Sequence, residues 1–164
     1  MRQVASFGRA SPVLAFLAVV GLLVAGTASA GGTKPVTATT VTTKNAACTP
    51  AVTVGNTTIT HCTGGEEDWV GDITGHGTYS YDRRENLTTG VRTVTNGVET
   101  ITDACVRDVC GGTLFSRWNE NDLKSGDLKL EQSFRGGTGA FTQAHGSIRV
   151  TDPASFTFTG QVGV

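Results

Sequence analysis

No window of about eleven residues or more beyond Ala30 repeats its apolar side chains every 3.6 residues between capping signals, so the chain offers no amphipathic helix. It also lacks a basic run. Its 13 lysines and arginines stand against 14 acidic residues in 164, which leaves no electrostatic footprint for nucleic acid or an anionic membrane surface. Histidine is scarce. His61, His76 and His145 are the only three, and none is spaced i, i+4 or as H-x-H, the separations that put two imidazoles on one metal. Cysteine pairs at the two-residue spacing of redox and zinc-finger motifs are absent too. No metal and no cofactor are therefore expected, and no side chain declares itself as a catalytic or ligand-binding residue.

Residues 1–30 read as a targeting segment and not as part of the fold. Arg2 and Arg9 make a basic start, residues 13–24 an apolar run, and Ala28-Ser29-Ala30 a small-residue cleavage site. The run is shorter than the ~20 residues a membrane span needs. No twin arginine precedes it and the first cysteine is Cys48, which points to the general secretory route without an N-terminal lipid anchor. Cleavage after Ala30 would leave 134 of the 164 residues and lower the basic count from 13 to 11 against 14 acidic, a net charge of −3. That is one domain's worth of chain, enough for a single core. The expected location is extracellular, with no membrane association after cleavage.

All four cysteines, Cys48, Cys62, Cys105 and Cys110, lie beyond the leader, and an even number in a secreted chain reads as disulfides. Three connectivities are open. Cys48 and Cys62 flank Gly55-Asn56 almost symmetrically, while Cys105 and Cys110 can clamp the mouth of the loop CVRDVC. Cys48–Cys62 with Cys105–Cys110 is the preferred pairing, with expected Cα separations of roughly 4.4–6.8 Å.

Residues 31–47 are rich in threonine with almost no large apolar side chain, and read as a flexible leader or at best an edge strand added late. Beyond them, short segments alternate between turns. AVTV and TTITHC flank Gly55-Asn56; WVGDIT and TYSYD follow; VRTVT and VETITDACV flank Asn96-Gly97, the strongest hairpin signal in the chain. Polar loops are expected at 83–90 and 119–126. The clearest alternation runs over residues 128–162. Leu128, Leu130, Ile148, Val150, Phe156 and Phe158 fall on faces opposite Lys129, Glu131, Arg149 and Thr157; the first set is expected inside and the second in water. The fold class is all-β, with roughly eight to ten short antiparallel strands. Glycines within strand segments (Gly71, Gly77, Gly146, Gly160) favour a barrel over a sandwich, since they relieve crowding where a sheet coils shut. The expected domain is one small disulfide-stapled barrel of about eight strands over residues 48–164.

Residues 135–151, RGGTGAFTQAHGSIRVT, resemble the GGTG-x-F-x-x-A-x-G stretch of the allene oxide cyclase-like and dirigent-like β-barrel group, at Gly136, Gly137, Thr138, Gly139, Phe141, Ala144 and Gly146. Residues 69–82, WVGDITGHGTYSYD, resemble the W-x-G-x-x-x-G opening strand of small secreted bacterial members. The resemblance covers the C-terminal third and the first core hairpin. It implies an eight-stranded antiparallel barrel whose lumen can hold an apolar ligand, and carries over no catalytic residue. GGTG is not a phosphate loop, because no helix follows it; it reads as a turn needing positive φ.

Glu66, Glu67 and Asp68 lack the spaced pattern of a calcium loop and read as a solvated acidic loop. The three histidines read as exposed turn or strand residues. Trp69, Tyr79, Tyr81, Phe115, Trp118, Phe134, Phe141, Phe156 and Phe158 either fill a small barrel, the plainer reading, or line a cavity for one ligand. Arg117 and Arg149 face solvent unless one of them orients that ligand. The sequence thus points to a secreted barrel that binds a small hydrophobic molecule or serves at the cell surface without catalysis. One alternative is a cyclase or isomerase that shapes a flexible hydrophobic, natural-product-like substrate in the lumen. The other is an interaction module with a packed core, self-associating through an outer face.

Overall fold

The computed structural model describes residues 32–122 and 128–164, without the side chain of Asp122; the targeting segment expected at 1–30 lies outside the described residues. Eleven strands follow one another: β1 (Lys34–Lys44), β2 (Ala47–Cys48), β3 (Val52–Val54), β4 (Thr57–Gly71), β5 (Ile73–Asn86), β6 (Arg92–Val106), β7 (Val109–Cys110), β8 (Leu114–Asp122), β9 (Leu128–Gly137), β10 (His145–Asp152) and β11 (Thr157–Gly163). A single 3₁₀ turn, Gly139–Phe141, sits between β9 and β10. Eight strands form a ring in the order β1-β11-β10-β9-β8-β6-β5-β4, and antiparallel pairing of β1 with β4 closes it. The short strands β2 and β3 lie along β4, and β7 along β6. The all-β barrel expected from the alternation is the observed architecture.

Strand alternation places one set of side chains in the lumen. Leu130, Ile148 and Phe158 are buried as expected, Leu128 and Val150 are half-buried, and Lys129, Glu131 and Arg149 are exposed. One end of the lumen is filled. Ile73, Ile101, Leu114, Phe141 and Ile148 are buried there to 2% exposure or less, with Phe134 and Val162 against them. Phe141 enters from the 3₁₀ turn like a stopper; full burial of such a side chain stabilises by roughly 1.5–3 kcal/mol. The GGTG segment is the turn that carries it, with Gly136 and Gly139 at φ 86° and 59°. Backbone hydrogen bonds from Thr138 N to Thr113 O (2.8 Å) and from Ala140 N to Gly111 O (2.9 Å) hold it across the barrel end.

Both disulfides form in the preferred pairing, Cys48–Cys62 and Cys105–Cys110. Each joins directly opposed residues of adjacent strands. Their Cα separations of 4.0 and 4.1 Å fall just below the expected window, because directly opposed residues on paired strands stand close together.

Several expectations are corrected. The barrel begins at Lys34, not at residue 48: the threonine-rich segment read as a leader is β1, an interior member of the ring held by β11 on one side and β4 on the other. Its inward Val36 and Ala38 are small and its threonines suit an extended backbone, so it packs without a large apolar side chain. Asn96-Gly97 is not a hairpin turn. It is a bulge inside the 15-residue β6, where the register slips against both β5 and β8 and Asn96 adopts φ 55°. The loops expected at 83–90 and 119–126 are shortened because β5 runs on to Asn86 and β8 to Asp122; residues 123–127 lie outside the described residues. Of the turn and strand positions open to the histidines, His76 takes a strand position, within β5.

Candidate functional site

The filled end gives way, near mid-barrel, to a layer of polar side chains contributed by four strands: Trp69 (β4), Glu99 (β6), Ser116 (β8) and Gln132 (β9). All four are buried, Glu99 to 4% exposure. The Trp69 indole N–H donates to Glu99 Oε1 at 2.6 Å. The amide Nε2 of Gln132 donates to Glu99 Oε2, and the Ser116 hydroxyl reaches the same oxygen at 3.5 Å. Gln132 Nε2 also lies 2.7 Å from Ser116 Oγ. A buried carboxylate is costly unless donors surround it, and this one is surrounded.

The carboxyl group of Glu67 completes the layer from the cavity side. It stands against Glu99, which raises its pKa, and the Thr40 side chain, which lowers it. Burial, then the negative charge of Glu99, pushes its pKa up to about 9. Burial also raises Glu99, against the pull of its hydrogen bonds from Trp69, Glu67, Gln132 and Ser116. Two adjacent carboxylates in a desolvated site do not both ionise near neutrality, and the donors converge on Glu99. The proton therefore resides on Glu67, which donates it to Glu99, and the pair carries one negative charge.

Above this floor the lumen opens into a cavity of about 300 Å³. Tyr79, Tyr81 and Trp118 form one wall; the two tyrosine rings are near-parallel at 6.3 Å, and Tyr81 meets Trp118 at 5.4 Å. Burial raises the Tyr79 hydroxyl pKa, as does the nearby Glu67. Val94, Leu130 and Phe158 supply apolar surface, while Arg83, Arg92, Glu120 and Phe156 stand toward the rim. Two glycines make the room. A Cβ at Gly77 would lie 2.2 Å from Glu99 Oε1 and one at Gly65 would lie 2.3 Å from the Tyr79 ring, so a side chain at either position would displace a residue of the site.

Glu67 was expected in a solvated acidic loop, and that expectation fails. Residues 66–68 lie in β4, where a register shift between Cys62 and Gly65 resets the alternation so that Gly65, Glu67 and Trp69 turn inward. Glu66 and Asp68 do face out, contacting Lys44 and His76 (Lys44 Nζ to Glu66 Oε1 2.7 Å; His76 Nδ1 to Asp68 Oδ1 2.9 Å). Glu99 and Gln132 were not singled out from sequence. The signal available for Glu67 is its i, i+2 relation to Trp69; for Glu99 it is the shared face with Ile101.

The remaining candidates lie elsewhere. His61 pairs with Asp82 (2.7 Å) on the outer surface, and His145 sits beside the Gln143 carbonyl. Arg117 and Arg149 are exposed, and neither lines the cavity. Among the described residues no group of three or more His, Cys, Asp or Glu side chains is placed to hold a metal. Phe156 departs from the expected core. It precedes β11 in a turn at φ 46°, is 43% exposed, and overhangs the mouth of the cavity. The aromatic set therefore divides: Phe134, Phe141 and Trp69 are core, Tyr79, Tyr81, Trp118, Phe156 and Phe158 line the cavity, and Phe115, contrary to expectation, is exposed on the outer face of β8.

The sequence matches no protein-family model and no curated protein. Among solved structures, the fold is similar to that of a protein of unknown function from the DUF3224 family of Shewanella oneidensis MR-1, with a TM-score of 0.64 and 12% sequence identity over 81% of this chain and 97% of that one. At that identity the likeness speaks for the fold alone.

Proposed function

We propose that this protein is a secreted binder that holds one small, largely apolar molecule in the open end of its barrel. One observation carries the reading: a cavity of about 300 Å³ with aromatic walls ends on a fully organised polar floor at Glu67 and Glu99. Small-molecule sites are concave, mostly apolar and carry a few placed polar groups. A barrel built only to be stable would fill this end as it fills the other. The resemblance of residues 135–151 to the allene oxide cyclase-like and dirigent-like group supports the same use of the lumen. Two disulfides fit an oxidising compartment, in keeping with export behind the targeting segment at residues 1–30.

Catalysis of a cyclisation or isomerisation is the second reading, favoured by the protonated Glu67 carboxyl beside the cavity, which is able to deliver a proton to a bound substrate. The test is native mass spectrometry of the protein purified from its host medium, followed by incubation of any released compound with fresh protein. A compound recovered unchanged supports binding alone, and a changed one supports catalysis. A Leu130→Trp variant that fills the cavity yet retains the compound would overturn both readings.

A further inference from the structure

We propose that the molecule taken by the barrel is an organic ammonium ion, its cationic head seated between the Glu67–Glu99 carboxyl pair and the rings of Tyr79, Tyr81 and Trp118. The proposal deepens the ligand-binding reading above and rests on it. Three features of the site select a cation. First, the floor is negative: Glu99 is already saturated by the Trp69, Gln132 and Ser116 donors, and Glu67 adds a second carboxyl at the cavity side. An anionic head would meet this charge, whereas a cation is drawn to it.

Second, the aromatic wall is electron-rich. Tyr79, Tyr81 and Trp118 gather within 6.5 Å of one another, centroid to centroid, and tyrosine and tryptophan faces attract ammonium groups, most strongly where water is excluded. Third, no basic side chain competes at the floor. Arg83 and Arg92 line the cavity only at its exposed rim, and Arg92 leans toward Glu85 with Nε 3.5 Å from Oε2. Glu120, the other charged side chain of the lining, is acidic.

Cation binding and proton loss are then linked. Without ligand, Glu67 keeps its proton because Glu99 is ionised beside it and both are desolvated. An arriving ammonium ion compensates a second negative charge. The Glu67 O–H bond breaks heterolytically, its electron pair stays on the carboxylate, and the proton leaves to solvent. One positive charge enters as one leaves, so the buried site keeps its net charge. The titratable groups facing Glu67 are Glu99, Tyr79 and Tyr81, with Arg83, Arg92 and Glu120 beyond them at the rim. Affinity for the cation accordingly rises with pH toward 9, the pKa of Glu67.

Isothermal titration calorimetry with three probes tests this: benzylammonium, benzyltrimethylammonium, and the neutral benzyl alcohol. At pH 7.5 both cations should bind about tenfold more tightly than the alcohol or better. Titrations in buffers of different ionisation enthalpy should report about one proton released per cation bound and none for the alcohol. Glu67→Gln, neutral and close in shape, should abolish proton release and most of the cation preference over the alcohol. The wild-type proton count stands even if that variant does not fold. Benzyl alcohol binding as tightly as the cations, or cation binding without proton release, would overturn the inference and leave the ligand-binding reading intact. Failure of all three probes to bind would overturn the inference and count against that reading as well.

Discussion

At the end capped by the 3₁₀ turn, the inward positions carry Ile73, Ile101, Leu114, Phe134 and Phe141, packed without a polar atom among their side chains. Further along the same strands, the inward positions carry Glu67, Tyr79, Tyr81, Glu99, Trp118 and Gln132. β8 and β9 cross from one regime to the other: β8 reads Leu114, Ser116, Trp118, Glu120, and β9 read in reverse gives Phe134, Gln132, Leu130. The barrel is thus layered along its axis, with an apolar plug, a hydrogen-bonded plate and an open aromatic chamber. Stability is concentrated in the plug. The chamber leaves apolar surface unsatisfied, which costs stability and has a rationale only if something fills it.

Substitutions at the two ends should therefore behave differently. Phe141→Ala removes the stopper and should destabilise by about 3–5 kcal/mol in chemical denaturation, whereas Tyr81→Ala, on the cavity wall, should cost less than about 1.5 kcal/mol. Equal losses at the two sites would erase the distinction. Glu99→Leu, at the boundary, strands the Trp69 and Gln132 donors and should cost about 3 kcal/mol, intermediate between plug and chamber in its effect on folding. A Cβ added by Gly77→Ala displaces Glu99 Oε1 and should cost about 2 kcal/mol, with loss of the abrupt rise in Glu67 pKa as its signature in carboxyl NMR titration.

The next contrast concerns pH. Glu67 holds its proton up to about 9 in the folded protein against 4.5 as its ordinary value. A raised folded pKa gives stability that is full below the ordinary value and lost as pH climbs through the folded one. The melting temperature should fall between pH 5 and pH 9, by about 5 °C or more. Glu67→Gln should flatten that fall, since the amide never ionises. A wild-type protein with a level profile over this range would mean that the chamber floor is wetter than its packing indicates.

Which face turns inward was legible from alternation alone in β9, β10 and β11, as Leu130, Ile148 and Phe158 against Lys129, Glu131 and Arg149 attest. Depth along the barrel axis was not. Period two separates inside from outside but says nothing of whether an inward residue meets the plug or the chamber, so Phe141 and Tyr81 look alike in sequence. Glu67 was hidden for a different reason: bracketed by Glu66 and Asp68, it reads as one charge in a run, and only the register slip near Gly65 turns it inward. The bulge at Asn96-Gly97 mimics a hairpin because both devices need the same positive-φ residues, and strand pairing on both sides decides between them. β1 escaped notice because its buried side chains, Val36 and Ala38, are small.

The placement of β1 also bears on how the chain reaches this fold. Lys34 pairs with Val162, so the seam of the barrel joins the first described strand to the last. Every hairpin from β4 to β11 can form as the chain grows, yet the ring stays open until β11 is available to meet β1. Until then β1 and the last strand in place each present a free edge, and the chain is at its most exposed to mispairing with copies of itself. Pairing residues 128 apart makes closure a long-range event, which predicts that it is slow and completes only once β11 is in place.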